Sequence, residues 1–158
     1  MENIIIREAQ RADIPLILDF IKKLAEYEKM LDQVVADSGI LENWLFDKSI
    51  ARVIFVMDGD KEVGFALFFH NFSTFLGRAG IYLEDLYVLP EYRGRGFGKA
   101  LLKRLAKIAV DMGCGRLEWS CLDWNTPSIE FYRSLGSVSM DDWTVYRLTG
   151  KALENMAR

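Results

Sequence analysis

Apolar residues recur along this chain with two periods, and these periods predict its helices and strands. Spacings of three to four residues predict helices after Asp13 as far as Tyr27, from near Ser38, and from the turn at 93–99 as far as Met112. A further short helix is expected near Pro127, a residue that fits a first helical turn. Alternating or β-rich runs predict strands at 4–7, 51–57, 62–70, 80–88, 116–121 and 144–148.

The order of these elements, β-α-α-β-β-β-α-β-α-β, predicts a mixed α/β fold. Strands joined by a tight turn such as Asp58-Gly59-Asp60 must be antiparallel, whereas the strand–helix–strand unit from about 80 to 121 makes one parallel pair. We therefore expect a mixed, mostly antiparallel central sheet flanked by helices. A length of 158 residues with 51% apolar residues suits one domain, 1–158, with its own core.

Composition excludes several classes of protein. A net charge of −3 and an isoelectric point near 5.3 give no electrostatic case for nucleic-acid binding. No apolar run approaches the roughly 20 residues that span a bilayer, and no signal peptide is recognised, so a cytoplasmic protein is expected. Cys114 and Cys121 fit neither a metal spacing nor a redox pair, and His70 is the only histidine, so no metal site is expected.

The turn Arg93-Gly94-Arg95-Gly96-Phe97-Gly98-Lys99 links a predicted strand to a predicted helix. Alternating glycines and a helix N-terminus direct backbone amides towards an anion such as a phosphate. The spacing is not that of a Walker loop, because Ala100 stands where a hydroxyl is needed. It is not the dinucleotide fingerprint either, because Lys99 stands where a third glycine is needed. A flexible turn with solvated arginines is the alternative.

The pattern Arg93-x-x-Gly96-x-Gly98 after a strand resembles the pyrophosphate loop of the GCN5-related N-acetyltransferase (GNAT) superfamily. The segments 82–88 and 124–132 and Gly136 follow that family's order, and residues 24–34 resemble its diamine (spermidine/spermine) and thialysine branch. The resemblance implies a GNAT fold, acetyl-CoA as co-substrate and a homodimer. It also implies acetyl transfer to a primary amine of a small cationic acceptor (a polyamine, a diamine or a lysine-like amino acid) by direct attack in a ternary complex.

Two residues are expected to act in catalysis. The resemblance makes Tyr132 the general acid for the coenzyme A thiolate and turns Glu84 towards the acceptor amine, whose proton it relays directly or through water. Strict alternation would put Glu84 and Asp85 on opposite faces of the strand. The competing interpretations are a core tyrosine at Tyr132 and a structural strand carboxylate at Glu84.

The resemblance also implies the binding residues. The cofactor set comprises the backbone of Leu86, Tyr87 and Val88, the turn residues Arg93, Gly94, Arg95, Gly96, Phe97, Gly98 and Lys99, and Asn125, Ser128 and Arg133. The substrate set comprises Tyr27, Glu28, Glu84 and Asp141. Asn125 also fits a helix cap, Tyr27 and Glu28 fit a solvated helix end, and Asp141 fits a turn.

Three other functions compete with this one. A superfamily member could acetylate a different amine, such as another amino acid, a protein N-terminus or a drug. An acyl-CoA-binding sensor would use the turn without catalysis. A nucleic-acid module would use Arg93 and Arg95 as a basic patch, which the acidic isoelectric point disfavours.

Overall fold

The computed structural model describes residues 4–158, which divide into two compact units, the first ending at Ser120 and the second running from Cys121 to Arg158. The first unit contains a five-stranded sheet in the order β1-β2-β3-β4-β5. Its elements are β1 (Ile4–Glu8), α1 (Ile14–Tyr27), α2 (Ser38–Glu42), β2 (Arg52–Asp58), β3 (Lys61–Ser73), β4 (Arg78–Val88), α3 (Phe97–Met112) and β5 (Leu117–Trp119). A π-helical turn, Asn43–Asp47, extends α2.

The pairing of the strands confirms the predicted mixed sheet. Strands β1 to β4 pair antiparallel in sequence order, and β4 and β5 form the one parallel pair of the described residues. The parallel pairing extends only from Ile81–Leu117 to Leu83–Trp119, although β4 continues to Val88. Within residues 4–158, the last five residues of β4 therefore have a strand neighbour, β3, on one side only.

Helix α1 covers one face of the sheet with an aromatic cluster. The ring of Phe20 stacks on Phe65 with centroids 5.3 Å apart and contacts Phe55 at 6.1 Å and Tyr87 at 6.3 Å. Alternate residues of the same strands face the opposite side, which α3 covers. The sheet therefore has two buried faces, and this burial accounts for its long apolar strands.

An ion-pair network joins β1, the start of α1 and β3. Arg7 donates to both carboxylate oxygens of Asp13 at 2.8 and 2.9 Å and to Glu62 Oε1 at 2.8 Å. The hydrogen bonds from Arg7 hold the pKa of Asp13 below its usual value. Asp13 is the N-cap residue of α1, but its side chain binds Arg7 instead of the helix amides.

The second unit contains two helices, α4 (Thr126–Ser134) and α5 (Gly150–Met156). The predicted strand at 144–148 is wrong, because this segment forms no strand in the described chain and exposes 82% of Val145 and 91% of Tyr146. Alternating apolar and polar residues indicate only a preference for extended backbone. A β-strand forms only where a neighbouring strand supplies its hydrogen bonds. No helix among residues 4–158 is both long and apolar enough to cross a bilayer.

Candidate active site

The glycine turn directs backbone amides towards one place. Gly94 and Gly96 have φ angles of 74° and 90°, which favour glycine. Gly96 is the N-cap of α3, and the first bond of the helix ladder runs from Ala100 N to Gly96 O at 3.0 Å. The preceding amides, at 97–99, have no acceptor within the helix and lie at the positive end of its dipole. The turn therefore has the geometry of an anion-binding site.

The side chains of the turn point in different directions. Phe97 is 1% exposed, so only its backbone is available to a ligand. Arg95 lies over the ring of Tyr92 at 5.2 Å and is 3.7 Å from a carboxylate oxygen of Asp58. Lys99 is exposed in the first turn of α3, where it adds positive charge.

The last residues of β4 include Leu86, Tyr87 and Val88, which pair with β3 and lie beyond the end of the pairing with β5. Tyr87 and Val88 are buried, and Leu86 is half-buried. On the β3 side the two backbones approach closely, because a Cβ added to Gly64 would lie 2.6 Å from Tyr87 O. The opposite edge, beyond the end of β5, can accept an extended molecule in the manner of an added strand.

A β-bulge places two carboxylates on the same face of β4. Leu67 pairs with Asp85 and Phe68 pairs with Leu83, so Glu84 is the extra residue of β4. Leu67 packs against the α1 cluster, and its partner Asp85 therefore faces α1. Glu84 follows Leu83, which faces α3, and so also turns to the α1 side. The expectation that alternation puts Glu84 and Asp85 on opposite faces of the strand is wrong. The bulge inserts one extra residue, so these two consecutive side chains lie on the same face.

A third carboxylate, that of Glu28, joins these two from the C-terminal end of α1. Burial, together with the charges of Glu84 and Glu28, raises the pKa of Asp85 to about 7. Burial and the charge of Glu84 also raise the pKa of Glu28. Asp85 is the functional candidate that sequence reasoning missed, because nothing in the local sequence marks Glu84 as a bulge. We call Glu28, Glu84 and Asp85 the carboxylate cluster.

Arg93, the first residue of the glycine turn, contacts Tyr27, the residue directly before Glu28. The guanidinium carbon of Arg93 lies 5.0 Å from the ring centroid of Tyr27 and 5.2 Å from that of Tyr87. Its Nε donates to Val88 O at 2.9 Å. The solvated helix end that was the alternative for Tyr27 and Glu28 does not describe them, since both are half-buried.

The other predicted site residues belong to the second unit. Asn125 is buried and caps α4, because its side-chain oxygen accepts from Ser128 N at 3.4 Å. Tyr132 is half-buried on α4, with its ring 5.6 Å from that of Phe131, and Arg133 is exposed. Asp141 lies in an exposed turn, where it accepts from Ser139 Oγ at 3.1 Å.

A glycine turn at a helix N-terminus, beside a strand end that has a strand neighbour on one side only among the described residues, is the arrangement that the resemblance to N-acetyltransferases implied. The profile of the acetyltransferase (GNAT) family matches residues 18–136, and the chain belongs to that family. It is an acetyl-CoA-dependent N-acetyltransferase, as the resemblance implied.

Similar proteins support the same class. The thialysine N-epsilon-acetyltransferase of Sus scrofa is 37% identical over 99% of both chains. The L-ornithine N5-acetyltransferase of Arabidopsis thaliana is 31% identical over 94% of this chain and 86% of its own. An integron cassette protein from the mobile metagenome of V. cholerae shares the fold, with a TM-score of 0.81, 29% identity and 98% coverage of each chain. The expected GNAT fold is thereby confirmed.

Proposed function

We propose that this enzyme transfers acetyl from acetyl-CoA to a primary amine of a small cationic acceptor: a polyamine, a diamine or a lysine-like amino acid. The carboxylate cluster beside the end of β4 is the observation that carries the proposal. Three carboxylates within electrostatic reach of one another attract cations, and burial together with the neighbouring negative charges raises the pKa values of Glu28 and Asp85. A cationic acceptor relieves this repulsion.

The similar enzymes narrow the class of acceptor. Thialysine and L-ornithine, the compounds in the names of two relatives, are amino acids with a second amine at the end of a flexible side chain. An acceptor of that kind offers one ammonium to a carboxylate and a second amine for attack. We therefore place amino acids with a terminal side-chain amine first among the candidates, ahead of polyamines.

The transfer requires the acceptor to lose protons. An alkylammonium has a pKa near 10.4 and becomes a nucleophile only when a base removes its proton. The pKa of Asp85, about 7, suits a base at neutral pH. Glu84, on the same face, balances the charge of the ammonium and relays its proton directly or through water. We thus propose that both residues of the bulge serve the acceptor.

The attacking nitrogen forms a bond to the thioester carbonyl carbon, and the carbon–sulfur bond then breaks. The nitrogen loses a second proton, and the thiolate gains one from the phenol of Tyr132, which a solvent proton later restores. The products are an N-acetylamine, coenzyme A thiol and one released proton. A backbone N–H near Leu86 would stabilise the oxyanion, and the amides of 94–99 would hold the pyrophosphate. Asn125, Ser128 and Arg133 complete the proposed cofactor set.

An acceptor screen tests the proposal. Purified protein is incubated with acetyl-CoA and, separately, with thialysine, L-ornithine, L-lysine, putrescine and spermidine, and thiol release is measured. We expect release above hydrolysis with at least one amino acid that has a terminal amine. Hydrolysis alone with every amine would contradict the proposal. A matched assay with Glu84→Gln, in which we expect lost turnover and retained acetyl-CoA binding, connects the activity to the carboxylate cluster.

We also propose a homodimer, on the basis of the resemblance alone. Light scattering behind a sizing column measures the mass of the particle in solution. A mass of twice 18.2 kDa is expected, and a mass of 18.2 kDa would contradict it.

A further inference from the structure

Arg93 makes three contacts that anchor its side chain. Its guanidinium lies over the rings of Tyr27 and Tyr87, and its Nε donates to Val88 O. A planar guanidinium that contacts two rings and a carbonyl is held in one orientation. The side chain therefore ties the start of the glycine turn both to the C-terminal end of α1 and to the end of β4.

The neighbouring arginine behaves differently. Arg95 contacts the ring of Tyr92, directly before the turn, and the ring of Phe97, at the start of α3, and it approaches Asp58 at the end of β2. Arg93, in contrast, contacts Tyr27 at the end of α1, directly before Glu28.

At the C-terminal end of α1, a small displacement of the backbone changes the position of the Glu28 carboxylate. Glu28 follows Tyr27 directly and caps the helix, with its amide bonded to Leu24 O at 2.9 Å. Lys29 then adopts a positive φ of 63°, which is uncommon for a residue other than glycine. A shift of Tyr27 is transmitted to the Glu28 carboxylate through a single peptide unit, and Glu28 interacts with both carboxylates of the bulge.

We propose that Arg93 is a positioning residue, which couples the glycine turn to the carboxylate cluster by holding Tyr27 and thereby Glu28 in place. The resemblance assigns Arg93 to the cofactor, whereas its contacts assign its side chain to the acceptor side. This inference rests on the proposed function, because that proposal makes the carboxylate cluster the acceptor site.

Kinetics of Arg93→Gln and Tyr27→Leu test the inference. We expect Arg93→Gln to raise the KM for the amine about tenfold, the effect of losing two cation–π contacts and one hydrogen bond, while the Kd for acetyl-CoA changes by less than about twofold. Tyr27→Leu loses only one of the two cation–π contacts, so it should raise the same KM by a smaller factor of about threefold. The double variant should be no worse than the poorer single variant, because both remove the same link. Arg93→Lys keeps the charge and one ring contact, so it should restore part of the amine affinity.

Arg104→Gln is the matched control, because it removes one positive charge from the exposed side of α3. Arg104→Gln should leave both the KM for the amine and the Kd for acetyl-CoA unchanged. Weaker acetyl-CoA binding by Arg93→Gln with an unchanged amine KM would overturn the inference and make Arg93 a phosphate ligand. Additive effects of the Arg93 and Tyr27 substitutions would overturn it as well.

Hydrogen exchange separates this inference from the proposed function. The amides of Glu28 and Met30, which close the end of α1, should exchange faster in Arg93→Gln than in the wild type or in Arg104→Gln. Unchanged exchange would overturn the coupling even in an active enzyme. A wild type that binds acetyl-CoA and acetylates no amine would overturn the proposed function, whereas faster exchange at these amides would still support the link through Arg93.

Discussion

Asp85 shows how one residue can weaken the fold and serve the site. Its carboxyl is half-buried beside two other carboxylates, which raise its pKa together with burial. In an unfolded chain the pKa of an aspartate is near 3.9. Between that pH and pH 7 the folded protein binds a proton that the unfolded chain releases, so the contribution of Asp85 to stability is present below pH 4 and is lost as the pH rises through 7.

Asp85→Asn therefore should gain stability relative to the wild type as the pH rises from 4 to 8. We expect a gain on the order of 2 kcal/mol at pH 8, because the side chain is only partly buried, and a loss of turnover, because the proton acceptor is gone. Urea unfolding at several pH values measures the first and amine-dependent thiol release measures the second. Asp60→Asn, in the exposed turn before β3, is the control, and an identical pH response of the two variants would contradict the assignment.

Tyr132 carries the other proton of the proposed reaction. Tyr132→Phe keeps the ring that contacts Phe131 and removes only the hydroxyl. We expect kcat to fall by about 10²–10³-fold, within the usual range for a general acid, with little change in acetyl-CoA affinity. Tyr146→Phe, at a position 91% exposed in the same unit, should behave as the wild type. Normal turnover by Tyr132→Phe would remove Tyr132 from the mechanism.

At the scale of elements, Gly64 determines how closely β3 approaches the end of β4. An alanine Cβ at this position would lie 2.6 Å from Tyr87 O and 3.0 Å from Val56 Cγ1, so the strands must move apart. We expect Gly64→Ala to lose about 1–3 kcal/mol of stability and to bind acetyl-CoA more weakly, because the backbone of 86–88 is displaced.

The control for this prediction is Gly39→Ala in α2. There the added Cβ meets Asp37 Oδ1 at 3.5 Å, an ordinary contact, so stability should stay unchanged or rise slightly. Thermal unfolding and calorimetric titration with acetyl-CoA compare the two variants. A Gly64→Ala protein with the stability and acetyl-CoA affinity of the wild type would contradict the close approach.

The sequence predicts correctly the helices and turns that are determined by residues close together in the chain. Helical spacing gives α1 its end at Tyr27 and α3 its end at Met112, and the glycine turn is where spacing places it. Features that depend on pairing with another strand cannot be predicted from the residues of one strand alone. The bulge at Glu84 is a property of the β3–β4 register, and the segment 144–148 has a strand pattern without a strand partner. The sequence therefore predicted only part of the carboxylate cluster, Glu28 and Glu84. Asp85 lies beside them because of the bulge.

At the scale of the whole molecule, the acidic net charge and the local cations of the turn suit the two different ligands of the proposed reaction. The chain as a whole carries a charge of −3, which suits the proposed cationic acceptor, while the amides and Lys99 at the start of α3 suit the proposed anionic cofactor. Raising the ionic strength should therefore weaken the binding of both substrates, since each encounter is between opposite charges.

The second unit is too small and too exposed to be stable by itself. It has roughly 40 residues, near the limit below which isolated domains need disulfides or metals. Of residues 121–158, all of which the structure describes, Asn125 alone is buried.

We therefore predict one domain that unfolds in a single transition, with equal calorimetric and van't Hoff enthalpies of about 110 kcal/mol near 60 °C. Acetyl-CoA at about 100 times its Kd should add about 2.7 kcal/mol to that one transition. Two calorimetric transitions, of which acetyl-CoA moves only one, would instead make the units separate domains.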